Sequence, residues 1–449
     1  MSRETAYNFE PITGPGRLID YVASGEKSDP QLGVGTEHEA FGLLSDSLTP
    51  ITYSGDRGLQ AILEGLVSEF GWQAEFDRGL PMALVCSDGG AVSLEPGGQL
   101  ELSGRVNKTI QDSDQELDRY LSHVQTVSQR LGIRWVSAGC HPTAALDEIG
   151  WVPKSRYELM APYLATKGSL AHNMMRGTCT IQANFDYRSE SDCAELVTVA
   201  AKMSPFVSAI FANSAVVANQ ATGMASFRCN VWRHVDRDRC GTPAFMLDGS
   251  FTYAKYIDYL LDIPLMYVRR ENGYTDVGGV TFRQFIEKGD AVMGDWELHL
   301  STVFPDIRIK RFAELRTADG GNRAAINALP AFWKGIVYCD QARSEAHQLL
   351  GDMSSEAQRE LYDEVCRLGI RGTYREASIL DVCQQLVKIS EDGLARQAER
   401  HGHDTEVGYL SCIRDWLNSG RTLGDRALAA FEAAQPGDKE WLFEPLELK

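Results

Sequence analysis

The stretch that decides the fold is residues 91–104, which read A-V-S-L-E-P-G-G-Q-L-E-L-S-G. Apolar and polar residues alternate on both sides of a Pro-Gly-Gly turn, which predicts two short strands joined as a hairpin. Residues 33–44, G-V-G-T-E-H-E-A-F-G-L-L, predict a further strand with glycines near both ends. Both runs carry acidic residues inside otherwise apolar strands, and this feature is the first clue to function.

Four of these acids are suited to hold a hard cation. Glu37 and Glu39 lie two apart, so their side chains project to one face of a strand while His38 points to the other. Glu95 ends one strand of the hairpin and Glu101 lies in the next. Mg²⁺ takes oxygen ligands and completes its shell with water and phosphate, which fits such a set. Solvated acids on edge strands are the alternative, and the pattern alone leaves both interpretations open.

Working outward, the chain changes character near its C-terminal quarter. Residues 108–131 predict a long amphipathic helix, and residues 192–219 predict a second helical region that is interrupted near Pro205. Residues 220–330 predict mixed strands and loops. After Pro330 we expect helices at 355–369, 375–397, 406–418 and 422–434. The sequence therefore predicts an α+β catalytic core at 1–330 and a helical region at 331–449 packed on it.

Composition excludes several classes of protein. The chain has 449 residues, with 44 Lys and Arg against 62 Asp and Glu, so its formal charge is −18. This acidic balance argues against nucleic acid as a partner. The most apolar run, residues 205–218, is shorter than the roughly 20 residues that a bilayer requires, so we expect no membrane partner. Ten cysteines without any C-x-x-C spacing, and an N-terminus without a signal or transit pattern, predict a cytoplasmic protein with reduced thiols.

Cationic side chains near the acids would bind phosphate or carboxylate. Candidates are Arg156, Arg228 with Trp232, and a cluster of Lys310, Arg311 and Arg316 that precedes Asp319. Arginine binds both anions through two parallel hydrogen bonds. A surface or salt-bridged arginine is the alternative at each position. Because the chain lacks a Walker A loop, a G-x-G-x-x-G, a G-x-S-x-G and an H-E-x-x-H, residue patterns alone indicate only a Mg²⁺-dependent enzyme.

A series of longer motifs follows in a fixed order along the chain: G-T-E-H-E-A-F-G (35–42), S-L-E-P-G-G-Q-L-E-L-S-G (93–104), P-K-S-R-Y-E-L-M (153–160), T-C-T-I-Q-A-N-F-D (178–186), F-A-N-S (211–214), R-C-N-V-W (228–232), G-V-T-F-R-Q-F (279–285), D-W-E-L-H-L-S-T-V-F-P-D-I-R-I-K-R (295–311), E-L-R-T-A-D-G-G (314–321) and A-L-P-A-F-W (328–333). In content and order these motifs resemble the plant-type glutamate–cysteine ligases, over roughly residues 30 to 430. The resemblance implies a curved antiparallel sheet of the glutamine synthetase and guanidino kinase type, with flanking helices.

The resemblance also implies a reaction. ATP phosphorylates the γ-carboxylate of glutamate, and the amine of cysteine displaces phosphate to give γ-glutamylcysteine, the first step of glutathione biosynthesis. The resemblance further implies two or three Mg²⁺ ions as cofactors and only small molecules as substrates. We expect the protein to be a monomer or a homodimer. Alternatives are a ligase that uses a different amine, a carboxylate or guanidino phosphotransferase, and a non-catalytic relative.

The same resemblance implies roles for individual residues. Arg228 and Trp232 would bind the α-carboxylate of glutamate and wall its pocket, and Arg156 would lie near the transferring phosphoryl group. The remaining roles are Mg²⁺ binding by Glu37, Glu39, Glu95 and Glu101, lining of the substrate cavity by Thr180, Gln182 and Asn184, and nucleotide binding by Arg316 and Asp319. The chain departs from the family pattern around Gly177 and after Ser214, in the substrate region, so the acceptor amine is less firmly implied than ATP and Mg²⁺.

Overall fold

The computed structural model describes residues 7–86, 89–271 and 273–448. Within these residues the chain forms seventeen α-helices and a nine-stranded sheet, besides four two-stranded ribbons. The helices are α1 (Pro15–Ala23), α2 (Leu59–Phe70), α3 (Ile110–Leu131), α4 (Tyr157–Ala165), α5 (Ala171–Gly177), α6 (Glu190–Ile210), α7 (Phe227–Trp232), α8 (Tyr253–Leu261), α9 (Phe282–Glu287), α10 (Met293–Ser301), α11 (Arg323–Val337), α12 (Asp340–Leu350), α13 (Ser355–Leu368), α14 (Ile379–His401), α15 (Ser411–Ser419), α16 (Leu423–Ala433) and α17 (Phe443–Leu446).

The strands are β1 (Val34–Leu44), β2 (Gln73–Asp77), β3 (Leu80–Val85), β4 (Ala91–Leu94), β5 (Leu100–Ser103), β6 (Ile133–Val136), β7 (Thr180–Phe185), β8 (Val216–Val217), β9 (Gln220–Ala221), β10 (Cys240–Gly241), β11 (Val268–Arg270), β12 (Gly273–Thr275), β13 (Phe304–Pro305), β14 (Ile307–Ile309), β15 (Ala313–Asp319), β16 (Thr373–Tyr374) and β17 (Ala377–Ser378). The main sheet is antiparallel, in the order β14-β15-β7-β1-β5-β4-β3-β2, and β6 also pairs with β1. The predicted strand at 33–44 and the predicted hairpin at 91–104 are both confirmed.

The two faces of this sheet differ in chemistry. On β1, His38 faces the same side as its neighbours Leu102 and Ile181, and helices α3, α6 and α11 pack against the strands there. This side is the hydrophobic core, and burial in it lowers the pKa of His38 to about 3. Glu37 lies on the other face, beside Gln182 of β7. The sheet therefore has an apolar face that stabilises the fold and a polar face that remains for chemistry.

The turn between β4 and β5 depends on two glycines. Gly98 has φ +86°, a left-handed conformation, and its N–H donates to the carbonyl of Glu95 at 2.9 Å. At Gly97 a Cβ atom would lie 2.2 Å from the carbonyl oxygen of Arg176. The turn is thus tight and packs closely against α5, and this packing fixes the position of Glu95 relative to the sheet.

Helix α6 corrects the prediction of an interruption near Pro205. The helix runs unbroken from Glu190 to Ile210 with Pro205 inside it. Proline removes the hydrogen bond to the carbonyl four residues back, but Nε2 of Gln358 donates to that carbonyl, at Ala201, at 2.8 Å. By length and composition this helix could cross a bilayer, but 89% of its apolar window is buried inside the protein. We interpret it as the central helix of the core.

The four helices predicted beyond residue 330 are confirmed as α13, α14, α15 and α16, with bounds shifted by a few residues. Helices α7 to α10 lie in residues 220–330, where the sequence predicted strands and loops. They have only six to nine residues each, which is too short for a helical period to stand out. Helix α11 runs through position 330, so the proposed division at that residue lies inside a helix and stays a prediction.

The helical region is joined to the core by a close crossing of α11 and α14. A Cβ atom on Gly393 would lie 1.8 Å from the carbonyl oxygen of Gly335, and one on Gly335 would lie 2.3 Å from that of Ser390. Side chains of α14 also donate to the backbone of α11, from Ser390 to Phe332 at 2.8 Å and from Gln397 to Lys334 at 2.9 Å. Only glycines permit the two backbones to approach this closely.

We therefore expect Gly393→Ala to lower the free energy of unfolding, measured in urea, by about 1–3 kcal/mol, because the added methyl group meets rigid backbone. Gly408→Ala is the matched control, since a Cβ there meets nothing within 4 Å. That control should change the unfolding free energy by no more than about 0.5 kcal/mol. Equal stability of the two variants would contradict the close crossing.

Candidate active site

The polar face of the sheet forms one wall of a buried cavity of about 90 Å³. Its lining includes Glu39, Glu95, Glu101, Arg156, Thr180, Gln182, Arg228, Trp232 and Arg316, which are nine of the twelve predicted site residues. Sheet strands supply five of them, the β4–β5 turn supplies Glu95, helix α7 supplies two, and Arg156 comes from the residue that precedes helix α4. Residues more than 270 positions apart thus meet at one place.

Three carboxylates gather at the centre of the sheet. Glu39 and Glu101 are cross-strand neighbours on β1 and β5, and Ser93 of β4 donates to Glu101 at 2.8 Å. The backbone N–H of Thr180 donates to Glu39 at 3.1 Å. Burial raises the pKa of Glu39 well above its usual range, and the charges of Glu95 and Glu101 raise it further, against the lowering effect of Arg228. The carboxylates are therefore close enough to repel one another, and a cation would relieve that repulsion.

These carboxylates fit Mg²⁺ as partial ligands. Within residues 7–86, 89–271 and 273–448, no three His, Cys, Asp or Glu side chains are arranged to hold a metal ion by themselves. Mg²⁺ rarely needs such a cage, because it is usually bound through one or two carboxylates together with water and substrate phosphate. The acidic oxygen donors therefore suit this ion, with the remaining ligands supplied by solvent and substrate.

Arg228 and Trp232 reach the cavity from helix α7. They lie four residues apart, so a single turn of helix brings both side chains to the same side, with the guanidinium 5.7 Å from the indole ring. Ser226 caps this helix by accepting from the N–H of Cys229 at 3.0 Å. The hydroxyl of Ser226 in turn donates to Asp319 at 3.0 Å. A buried hydrogen-bond network thus fixes the start of the helix that carries the two side chains.

Three buried donors in the cavity wall have no hydrogen-bond partner among the described residues. They are Nε of Arg156, Nε of Arg228 and the indole Nε1 of Trp232. Buried polar groups are hydrogen-bonded in the great majority of cases, so unsatisfied ones need an explanation. A ligand rich in oxygen acceptors, such as a carboxylate or a phosphate, would satisfy all three.

Three predicted site residues do not line the cavity. Glu37 accepts a hydrogen bond from Asn184 at 2.9 Å, and both lie on the polar face beyond the cavity wall. Asp319 is buried behind Arg228, where Asn213 N–H and Ser214 Oγ donate to it at 2.8 and 2.7 Å. Its carboxylate is 3.9 Å from the guanidinium of Arg228. Metal binding by Glu37 and nucleotide binding by Asp319 therefore stay predictions without a cavity contact.

Sequence reasoning missed other residues of the wall. Arg308 lines the cavity from β14, and its position between Ile307 and Ile309 is the signal of a polar residue on the opposite face of a strand. Tyr157 follows Arg156 in a motif that was recognised, yet only its neighbour was nominated. The other missed lining residues are Pro96, Gln99, Met160, Met174, Met175, Thr178, Ser301 and Phe304.

A larger cavity of about 440 Å³ adjoins the first. The two share Arg228, Trp232, Phe304 and Arg316 as walls, and the larger one continues past Arg233 and Arg359. Its volume lies in the range of small-molecule sites. The inner cavity with the carboxylates and the outer one with further arginines together form a site for a ligand that extends through both.

The fold is of the α+β class, and its polar sheet face borders a two-part cavity lined by carboxylates and arginines. The family model for glutamate-cysteine ligase family 2 (GCS2) matches residues 33–444, and the chain belongs to that family. The fold is similar to the crystal structure of a glutamate–cysteine ligase from Francisella tularensis in complex with AMP. That likeness has a TM-score of 0.50 at 10% identity and covers 94% of this chain and 86% of that one, so it concerns the fold alone. The resemblance and the predicted fold class are confirmed.

Curated relatives are similar in sequence to this chain over nearly its whole length. Glutamate–cysteine ligase A of Oryza sativa subsp. indica is 34% identical over 99% of this chain and 90% of its own, and the enzyme of Arabidopsis thaliana is 33% identical over 99% and 85%. The Medicago truncatula enzyme is 33% identical over 97% of this chain and 85% of its own.

All three relatives are chloroplastic by name, which contradicts the predicted cytoplasmic location. The ten cysteines are free thiols in the structure, as predicted. Free thiols were nevertheless a poor guide to location, because they indicate only a reducing compartment and do not specify which one.

The unpartnered donor of Arg156 generates a prediction. Arg156→Gln should change the free energy of unfolding of the ligand-free protein by less than about 1 kcal/mol, because a buried, incompletely paired charge contributes little to stability. Turnover should fall by about 100-fold or more, as when a donor to developing charge is removed. Thermal unfolding and steady-state kinetics measure the two effects.

The matched control for Arg156 is Arg239, a buried arginine with partners for its nitrogens. It pairs with Asp236 at 2.9 Å, donates to the Tyr163 hydroxyl at 2.7 Å and also donates to the carbonyl of Thr302. Arg239→Gln should therefore cost about 3–5 kcal/mol of stability. If Arg156→Gln destabilises the protein as strongly as Arg239→Gln, Arg156 is structural and its assignment to the site is wrong.

Proposed function

We propose that this protein is an ATP-dependent carboxylate–amine ligase that joins the γ-carboxylate of glutamate to the amine of cysteine. The observation that carries the proposal is the buried cavity in which three glutamates and four arginines meet. Its carboxylates suit a divalent cation, and its arginines suit phosphate and carboxylate groups. The relatives named glutamate–cysteine ligase support this particular substrate pair over others.

The chemistry explains why such a cavity is needed. A carboxylate is a poor electrophile, so glutamate must be activated before an amine can attack it, and phosphorylation by ATP provides that activation. Phosphoryl transfer depends on neutralising charge and positioning the groups more than on covalent help from the protein. An activated acyl group also has to be kept from water. A small cavity between the sheet and helices α4 and α7 meets both requirements.

We assign the metal site to Glu39, Glu95 and Glu101, with Mg²⁺ as the cofactor; the number of ions stays a prediction. When bound, Mg²⁺ would neutralise phosphate charge and polarise the phosphoryl group. The carboxylates would hold the cation on the sheet, and Ser93 Oγ and the Thr180 N–H orient Glu101 and Glu39 by donating hydrogen bonds to them.

We assign the anionic groups of the substrates to the arginines. Arg228, in a helix fixed by Ser226 and Asp319, would bind the α-carboxylate of glutamate, with Trp232 beside it. Arg156 would stabilise charge on the transferring phosphoryl group. Arg316 lines both cavities, so it would contact a nucleotide that extends from the outer cavity into the inner one.

Release of ADP tests the proposal directly. The protein with Mg²⁺ and ATP should release ADP only when both glutamate and cysteine are present, and mass spectrometry should detect γ-glutamylcysteine. Release with a different amine in place of cysteine would identify a specialised ligase of the same chemistry and refute the choice of acceptor. Release without any amine would identify a phosphotransferase instead.

Glu95→Gln should abolish this turnover while circular dichroism and the unfolding midpoint stay near those of the unmodified protein, because one metal ligand is lost and no packing changes. Glu64→Gln provides the control, since Glu64 is exposed on α2 and does not line the cavity. It should retain full activity. Full activity in Glu95→Gln would refute the metal assignment.

A further inference from the structure

A single glutamate behind the cavity wall holds three cations. Glu314 is fully buried, and its carboxylate pairs with Arg308 at 2.5 Å, with Lys310 at 2.9 Å and with Arg316. Burial alone would raise the pKa of Glu314, but the three positive charges hold it well below its usual range. The carboxylate is therefore ionised, and it is the anion that all three cations share.

The sheet brings these charges together. Arg308 and Glu314 are cross-strand neighbours in the β14–β15 hairpin, and Glu314 also lies opposite Asn184 of β7. Arg316 follows two residues later, so it projects to the same face. The pairing register between β15 and β7 shifts between Leu315 and Ala318, so the strand is irregular where Arg316 lies. The cluster therefore belongs to the same polar face as the carboxylates of the active site.

Two members of the cluster reach the ligand cavity. Arg308 and Arg316 line it, whereas Glu314 does not. A second hydrogen bond, from Nη1 of Arg316 to Gln182 at 2.8 Å, fixes the same guanidinium nitrogen that pairs with Glu314. Arg308 donates in addition to the carbonyl of Val303 at 3.0 Å. Nε and Nη2 of Arg308 donate to Glu314, and its Nη1 also donates to the carbonyl of Leu300. All three nitrogens of Arg308 and Nη1 of Arg316 are thereby held in the wall.

We propose that Glu314 is a positioning residue, which orients Arg308 and Arg316 so that they bind the phosphate groups of the nucleotide. The proposal rests on the proposed ATP-dependent activity and adds a residue that does not itself touch the ligand. Three neighbouring cations in a low-dielectric interior would repel one another and separate without a shared anion. Glu314 keeps two of them fixed at the cavity wall.

The sign of the effect on nucleotide affinity separates positioning from simple charge balance. Glu314→Gln removes a negative charge near the cavity, and by Coulomb attraction alone this should strengthen the binding of an anionic nucleotide. If Glu314 acts by orienting the arginines, the same substitution should weaken binding because their geometry is lost. The two explanations predict opposite changes in the dissociation constant.

The experiment measures the dissociation constant of Mg·ADP by calorimetric titration, together with kcat and the KM values for ATP and glutamate. We expect Glu314→Gln to weaken Mg·ADP binding by about 10-fold or more and to raise the KM for ATP more than that for glutamate. Glu314→Asp keeps the negative charge on a side chain that is one methylene shorter. The affinity of this variant for Mg·ADP should therefore lie between those of Glu314→Gln and the unmodified protein. Should Glu314→Gln fail to fold, Glu314→Asp decides the question by the same titration.

The control is a second buried ion pair, distant in sequence from the cavity residues. Glu406 pairs with Lys334 at 2.7 Å, and both side chains are buried. Glu406→Gln should lower the unfolding midpoint as Glu314→Gln does, yet leave Mg·ADP binding unchanged. Unchanged or tighter binding of Mg·ADP by Glu314→Gln would overturn the inference. Failure of the unmodified protein to bind Mg·ADP would instead overturn the proposed function, and the inference with it.

Discussion

Opposite charges share one buried cavity, and the rest of the structure maintains that arrangement. Glu39, Glu95 and Glu101 come from the sheet and its turn, and burial, reinforced by the charges of Glu95 and Glu101, raises the pKa of Glu39. Arginines from the start of α4, from α7 and from the β14–β15 hairpin line the same space. Burying this many charges costs free energy unless each is paired. The carboxylates and the unpartnered arginine donors therefore indicate a site completed by ligands, with cations for the acids and anions for the arginines.

The fold offsets this free energy because the two faces of the sheet have different roles. The apolar face packs against α3, α6 and α11 and supplies the stability, so the other face can remain polar. Buried anions then fix the arginines: Asp319 through the cap of α7, and Glu314 through direct ion pairs. Positioning by buried partners is how a protein keeps charged groups ready without exposing them to water.

The sequence predicts the carboxylate part of the site well, because strand alternation is a simple rule. The spacing of Glu37 and Glu39 and the hairpin turn before Glu101 place the acids correctly on one face. Which of them border a cavity depends on helices distant in sequence, so the position of Glu37 beyond the wall was not foreseeable. Likewise, Pro205 predicts a break in α6 unless Gln358 is known to satisfy the freed carbonyl. Such long-range compensation leaves no local signal.

The assignment of arginines was less complete for a related reason. Arg228 and Trp232 were nominated because the short motif R-C-N-V-W singles them out, whereas Arg308 lies inside a long motif that was recognised without assigning roles to its separate residues. The central claim, that the sheet carboxylates bind the metal of an ATP-dependent ligase, is tested most directly by a crystal structure with Mg²⁺, ADP and glutamate. The account predicts Mg²⁺ at about 2.0–2.1 Å from carboxylate oxygens of one or two of Glu39, Glu95 and Glu101, with water and phosphate oxygens as the other ligands. Metal bound elsewhere, with these carboxylates facing only protein or water, would contradict it.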